Sequence, residues 1–187
     1  MVVIVNTVSL STGAKVFLLE KFLPEIVHEK TKTLFDTFSQ DNQHWVMPEW
    51  TQGRPRYVYQ GQDERYNELK NFANSSELLT QLEQLLGITV QNTGIDLWID
   101  FAGFGTLAPH YENEGSVYLA QIYISDKEYP FIGTTIYNDN KEILFQLPFR
   151  DNYAWFFDKG YTVMHGREHD IPDDLARCSV MLWFDKA

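Results

Sequence analysis

The chain has 187 residues, 44% hydrophobic and 22% charged, which suits one folded domain with a sizeable core and leaves little room for a second. Its formal charge of −11 argues against nucleic-acid binding, because affinity for a phosphate backbone comes from Lys and Arg displacing counterions. No apolar run approaches the length of a membrane span, and a single cysteine, Cys178, excludes an internal disulfide framework. One cysteine fits a reducing compartment, so the cytoplasm is the expected location.

The opening "MVVIVNTVSL" lacks the basic flank and small-residue cleavage site of a signal peptide, so a strand is expected there and export is not. Lys15 to Leu19 ("KVFLL") reads as a second short strand. Pro24 sits at a first helical position, and Ile26, Val27, Leu34, Phe35 and Phe38 fall near one face of the helix that follows. The segment "NQHWVMPEWTQGRPRYVYQGQDERYN" has no helical period and is expected as loops and edge strands over one face of the core. Trp50, Arg54 and Arg56 in it are candidates to meet a substrate. A second helix follows, capped by Ser75 or Ser76, with Leu78, Leu79, Leu82, Leu85 and Leu86 as its apolar stripe and Gly87 as its stop.

From about Asp96 the period becomes two. "DLWIDF", "SVYLAQIYIS", "FIGTTIYN", "EILFQLP", "YAWFFDKG", "YTVMHG" and "RCSVMLWFD" are short, aromatic and β-branched, and separated by turn residues. The expected fold is mostly β with flanking helices: a β-sandwich or jelly-roll barrel with the N-terminal helices packed outside. A single domain is expected over 1–187, with helices and edge strands in 1–92 and the β core in 93–187.

His110 and Glu112 are two apart, so in a strand they present an imidazole and a carboxylate to the same side. A polar turn with a surface histidine gives the same local pattern, and a metal site needs a third ligand. His165 is the best candidate. Two histidines and a carboxylate on one face of a metal, with other positions open, is the arrangement used for non-haem Fe(II) and O₂ chemistry. His169 competes for the distal position, although it sits in "GREHDIPDD", which reads as a turn. Arg177 and Ser179 share a strand face in an apolar run, where an arginine needs an anion: either an acidic side chain or a bound carboxylate.

The series His110-Tyr111-Glu112, Tyr123-Ile124, "FIGTTIY" around Gly133, "VMHG" at His165 and Arg177-Cys178-Ser179 resembles the 2-oxoglutarate and Fe(II)-dependent oxygenases of the prolyl-hydroxylase-like kind. The opening "KVFLLEKFLPEIVHE" is similar to that family's first strand and helix. The resemblance implies a double-stranded β-helix, cupin-like in its core. His110, Glu112 and His165 would hold Fe(II), while Arg177 and Ser179, assisted by Tyr123, would bind the distal carboxylate of 2-oxoglutarate. It also implies a dioxygenase that uses O₂ to hydroxylate a C–H bond of a peptidyl or small-molecule amino acid substrate, releasing succinate and CO₂. Two positions depart from the family pattern: Glu112 stands where most members have Asp, and Phe101 stands where an upstream tyrosine is usual. Gln121, which shares a strand face with Tyr123, would see cosubstrate or substrate. The alternative is a cupin-like barrel that binds metal or ligand without turnover. Oligomeric state is not legible.

Overall fold

The strands of this chain carry apolar side chains on both faces, so they must be covered twice. The computed structural model, which describes residues 3–40, 42–111, 118–157 and 162–187, shows how. In chain order the elements are β1 (Val3–Ser9), β2 (Lys15–Glu20), α1 (Glu25–Gln40), β3 (Trp45–Val46), a 3₁₀ turn (Glu49–Thr51), β4 (Arg56–Tyr59), α2 (Glu64–Ala73), α3 (Ser76–Leu86), β5 (Val90–Asp100) and β6 (Leu107–His110). There follow β7 (Tyr118–Ile124), β8 (Thr135–Tyr137), β9 (Ile143–Gln146), β10 (Tyr153–Phe157), β11 (His165–Arg167) and β12 (Arg177–Lys186).

The strands form an eight-stranded sheet in the order β1-β2-β10-β7-β12-β5-β4-β3 and a four-stranded sheet in the order β6-β11-β8-β9, with antiparallel neighbours throughout. Alternation along each central strand of the large sheet feeds two separate cores. Ile122, Val180, Leu97 and Ile99 join Leu34 and Phe35 of α1 and Leu78 and Leu82 of α3 in one buried cluster. Tyr123, Met181, Trp155 and Phe157 point the other way and join Ile136 of β8 and Leu147 in a second. The result is a jelly roll, one of the two architectures expected from the strand pattern, and the double-stranded β-helix that the family resemblance implies.

Local chemistry explains the helix ends. Ser75 caps α3 by accepting from the Leu78 N–H at 3.2 Å, and Gly87 ends it at φ 72°, a left-handed value that costs glycine little. Pro24 lies just before α1, where its carbonyl accepts from the His28 N–H at 2.8 Å. Other details differ from the sequence reading. Ile26 is 69% exposed and leaves the α1 stripe to Val27, Leu34, Phe35 and the partly buried Phe38, joined by Thr31 and His28. α2 occupies part of the segment expected to be loop; Asp63 caps it by accepting from the Tyr66 N–H. Of the strands that the first 92 residues add to the large sheet, β1 and β3 are edges, whereas β2 and β4 lie inside. β11 begins only at His165, and β6 ends at His110.

Candidate active site

Pairing of β6 with β11 places His165 directly opposite His110, with ring centroids 4.6 Å apart. Each ring bonds a carbonyl two residues earlier in the chain: His110 Nδ1 to Ala108 O at 2.8 Å, and His165 Nδ1 to Val163 O at 3.0 Å. A carbonyl can only accept, so Nδ1 carries the proton on both rings and Nε2 is left as the nitrogen with a lone pair. This is the orientation that backbone carbonyls impose on metal-binding histidines. His165 is buried among Trp155 and Phe157, whereas His110 lies toward the surface.

Gly166 allows this approach. A Cβ there would lie 2.5 Å from Leu107 O and 3.1 Å from Ala108 O, so any side chain would push β11 away from β6. Gly133 meets a comparable limit against the backbone of Leu147. Glu112, the expected carboxylate ligand, lies outside the described residues, and among the described residues no group of three His, Cys, Asp or Glu could hold a metal. His169 is exposed, with its ring against Phe131 at 5.8 Å; it is His165 that is brought to His110.

A cavity of about 270 Å³ opens beside the two histidines, lined also by Trp50, Arg56, Trp98, Gln121, Thr134, Trp155, Gly166, Arg167, Arg177 and Met181. Its floor is organised by register. Arg56 on β4, Asp100 on β5 and Arg177 on β12 are lateral neighbours across three adjacent strands. Arg167, two residues beyond His165 on β11, reaches the same carboxylate from the smaller sheet. Asp100 is fully buried and accepts from Arg56 Nε at 2.5 Å and Nη2 at 2.8 Å, from Arg177 Nη1 at 3.2 Å and from Arg167 Nη1 at 3.4 Å. Burial alone would raise the Asp100 carboxyl, but the Arg56 hydrogen bonds and the three positive charges outweigh it and hold it below its usual range. Burial and the neighbouring Arg177 charge lower Arg167 to about 10.

Arg177 also donates from Nε to Ile132 O at 2.9 Å, and its guanidinium lies 5.1 Å from the Tyr123 ring centre. Of the two partners foreseen for it, the structure shows the acidic side chain, Asp100, which is shared among three arginines. Ser179, on the same face of β12, is fully buried, and its hydroxyl has no partner among the described residues. The Tyr123 hydroxyl accepts from the Thr134 N–H at 2.8 Å and from Trp155 Nε1 at 3.0 Å. With both lone pairs used, it has one proton to give, within reach of Thr134 Oγ1 at 2.8 Å and Gln121 Oε1 at 3.4 Å. Gln121 and Thr134 line the cavity, and the Tyr123 hydroxyl is within hydrogen-bonding reach of both. Phe101 faces away, packed against Phe38 and Tyr57 on the helical side, and the neighbouring position that points toward the site is Asp100.

Sequence reasoning missed Asp100, Arg167, Thr134 and Trp155. The signal for Asp100 was present in "DLWIDF", where one face of a strand that must be buried twice reads Asp96, Trp98, Asp100. Its arginine partners lie 44, 67 and 77 residues away, and only folding brings them together.

No protein-family model matches the sequence, and no curated protein sequence does. Solved structures do match. A prolyl hydroxylase from Trichoplax adhaerens, determined with a peptide fragment of the hypoxia inducible factor oxygen degradation domain, is 10% identical and superposes with a TM-score of 0.70 over 91% of this chain and 83% of that one. HygX from Streptomyces hygroscopicus, determined with nickel, 2-oxoglutarate and hygromycin B, is 12% identical, with a TM-score of 0.64 over 92% and 83%. A Pseudomonas putida prolyl-4-hydroxylase is 15% identical, with a TM-score of 0.61 over 92% of both chains. The chain has the fold of the 2-oxoglutarate-dependent oxygenases and is structurally similar to prolyl hydroxylases within them.

Proposed function

We propose that the protein is a non-haem Fe(II) and 2-oxoglutarate-dependent dioxygenase that hydroxylates a C–H bond of a peptidyl or small-molecule amino acid substrate. The observation that carries this reading is the cross-strand pair His110 and His165, both with Nδ1 tied to backbone, opening on a cavity whose far wall is Arg177. The residues fit the groups the reaction needs. His110 and His165 hold the metal through Nε2, with Glu112 as the carboxylate ligand. Arg177 receives the distal carboxylate of 2-oxoglutarate, the buried Ser179 hydroxyl donates to it, and the Tyr123 proton turns toward it. Trp155 and Phe157 keep water from the buried side of His165. When bound, iron and 2-oxoglutarate supply the oxidising chemistry, with release of succinate and CO₂.

Arg177→Ala tests the assignment. The 2-oxoglutarate Kd of the Ni(II)-loaded protein is expected to rise by about tenfold or more, as befits loss of a charge-assisted carboxylate contact, with the Ni(II) Kd unchanged. Arg177→Lys, which keeps the charge, should fall between. An unchanged 2-oxoglutarate Kd in folded Arg177→Ala would refute the role of Arg177.

A further inference from the structure

The floor of the cavity holds more positive charge than one cosubstrate uses. Arg56, Arg167 and Arg177 are all buried, and among the described residues Asp100 is the only carboxylate hydrogen-bonded to any of them. Buried charge without a counter-charge is costly, so an excess of two cations marks a place where anions bind. The distal carboxylate of 2-oxoglutarate at Arg177 neutralises one. The other has a position of its own. Arg56 uses Nε and Nη2 on Asp100, and its Nη1 has no hydrogen-bond partner among the described residues. Its guanidinium lies 4.2 Å from the Trp98 ring centre and 4.1 Å from that of Phe104, with Trp50, 56% exposed, 5.8 Å away at the rim. A planar cation that lines the cavity, fixed between aromatic faces with one edge on Asp100, is pre-organised for a carboxylate.

We infer that the primary substrate is a small acid whose carboxylate is held at Arg56, beneath Trp50 and beside Trp98, while 2-oxoglutarate occupies Arg177. This rests on the oxygenase reading above. Arg56 is only 5% exposed, so its partner must enter a cavity of about 270 Å³ that it shares with the cosubstrate, which favours a small molecule over a long chain. Asp100 separates the two arginines in the strand register, and so keeps the two anions apart.

The test uses protein loaded with Ni(II) and saturated with 2-oxoglutarate, titrated with acetate, benzoate and N-acetylproline and, in parallel, with the three matching amides, by ligand-observed NMR and thermal shift. At least one acid is expected to bind about tenfold tighter than its amide without releasing 2-oxoglutarate, and Arg56→Lys, which keeps the charge but loses the planar fork, should reduce that preference. Acids that bind no better than amides, or only by displacing 2-oxoglutarate, would overturn the inference and make the three arginines the cradle of a single anion. If Arg56→Lys does not fold, the acid and amide comparison on the unaltered protein decides alone. Failure of 2-oxoglutarate itself to bind would overturn the oxygenase reading and the two-anion inference with it, an outcome distinct from either of the others.

Discussion

His110 and His165 face each other across an antiparallel strand pair, and each is bonded through Nδ1 to the carbonyl two residues before it. On both rings, then, it is a backbone carbonyl that fixes Nδ1 and so sets the direction of Nε2. Gly166 is what allows the strands to approach so closely.

Gly166→Ala should therefore damage the site without touching a proposed ligand. The new methyl group meets Leu107 O, and overpacking of this kind costs about 1–3 kcal/mol. Urea unfolding should show that loss. Calorimetric titration with Ni(II) should show weaker binding, because His165 moves away from His110.

Asp100→Asn removes the one carboxylate bonded to Arg56, Arg167 and Arg177 among the described residues. Leaving buried charges unpaired costs about 3–5 kcal/mol. The variant is expected to melt earlier than the unaltered protein and to gain more from added sulfate, which replaces the missing negative charge. An equal gain in both proteins would mean that the arginines are not exposed to a common anion.

A pH effect is expected at the joint between α1 and the start of β10. His28 Nε2 lies 3.0 Å from Asp151 Oδ1, and the Asp151 carboxylate also accepts from the Ser125 N–H. The hydrogen bond to Asp151 raises His28 above 6.5, outweighing burial; burial pushes Asp151 up, but the His28 bond and the Ser125 N–H bring it below 3.8. The histidine's contribution is present below pH 6.5 and is lost as pH rises through its raised value; the aspartate's is present above pH 3.8 and is lost as pH falls through its lowered value. Half-buried pairs contribute on the order of 1 kcal/mol or less. The urea midpoint at a pH between the two values, where both partners are charged, should exceed the midpoint at alkaline pH by less in His28→Gln than in the unaltered protein.

Periodicity made the architecture legible. Most strands from β5 onward could be found because they are short aromatic and β-branched runs whose turns carry Asn, Asp and Gly, and α3 because its cap, stripe and glycine stop agree. α2 escaped notice because Glu64 to Ala73 is largely polar and buries only Leu69 and Ala73, so it carries little helical signal. At the site, His110, His165 and Arg177 stood out because their neighbours in sequence suggest strand faces. The cluster around Asp100 did not, because it is a product of register between β4, β5 and β12 and of the second sheet folding over them. Nor could sequence tell that the Tyr123 hydroxyl is committed to Thr134 and Trp155, contacts made across the core.

The most direct measurement is an anaerobic titration of the purified protein with Fe(II) and 2-oxoglutarate, followed by visible absorption, with His165→Ala as control. A weak charge-transfer band that forms with the unaltered protein and is absent from the control is expected if His110 and His165 hold an iron chelated by the 2-oxo acid. Absence of the band from folded protein that demonstrably binds both metal and 2-oxoglutarate would contradict the shared site.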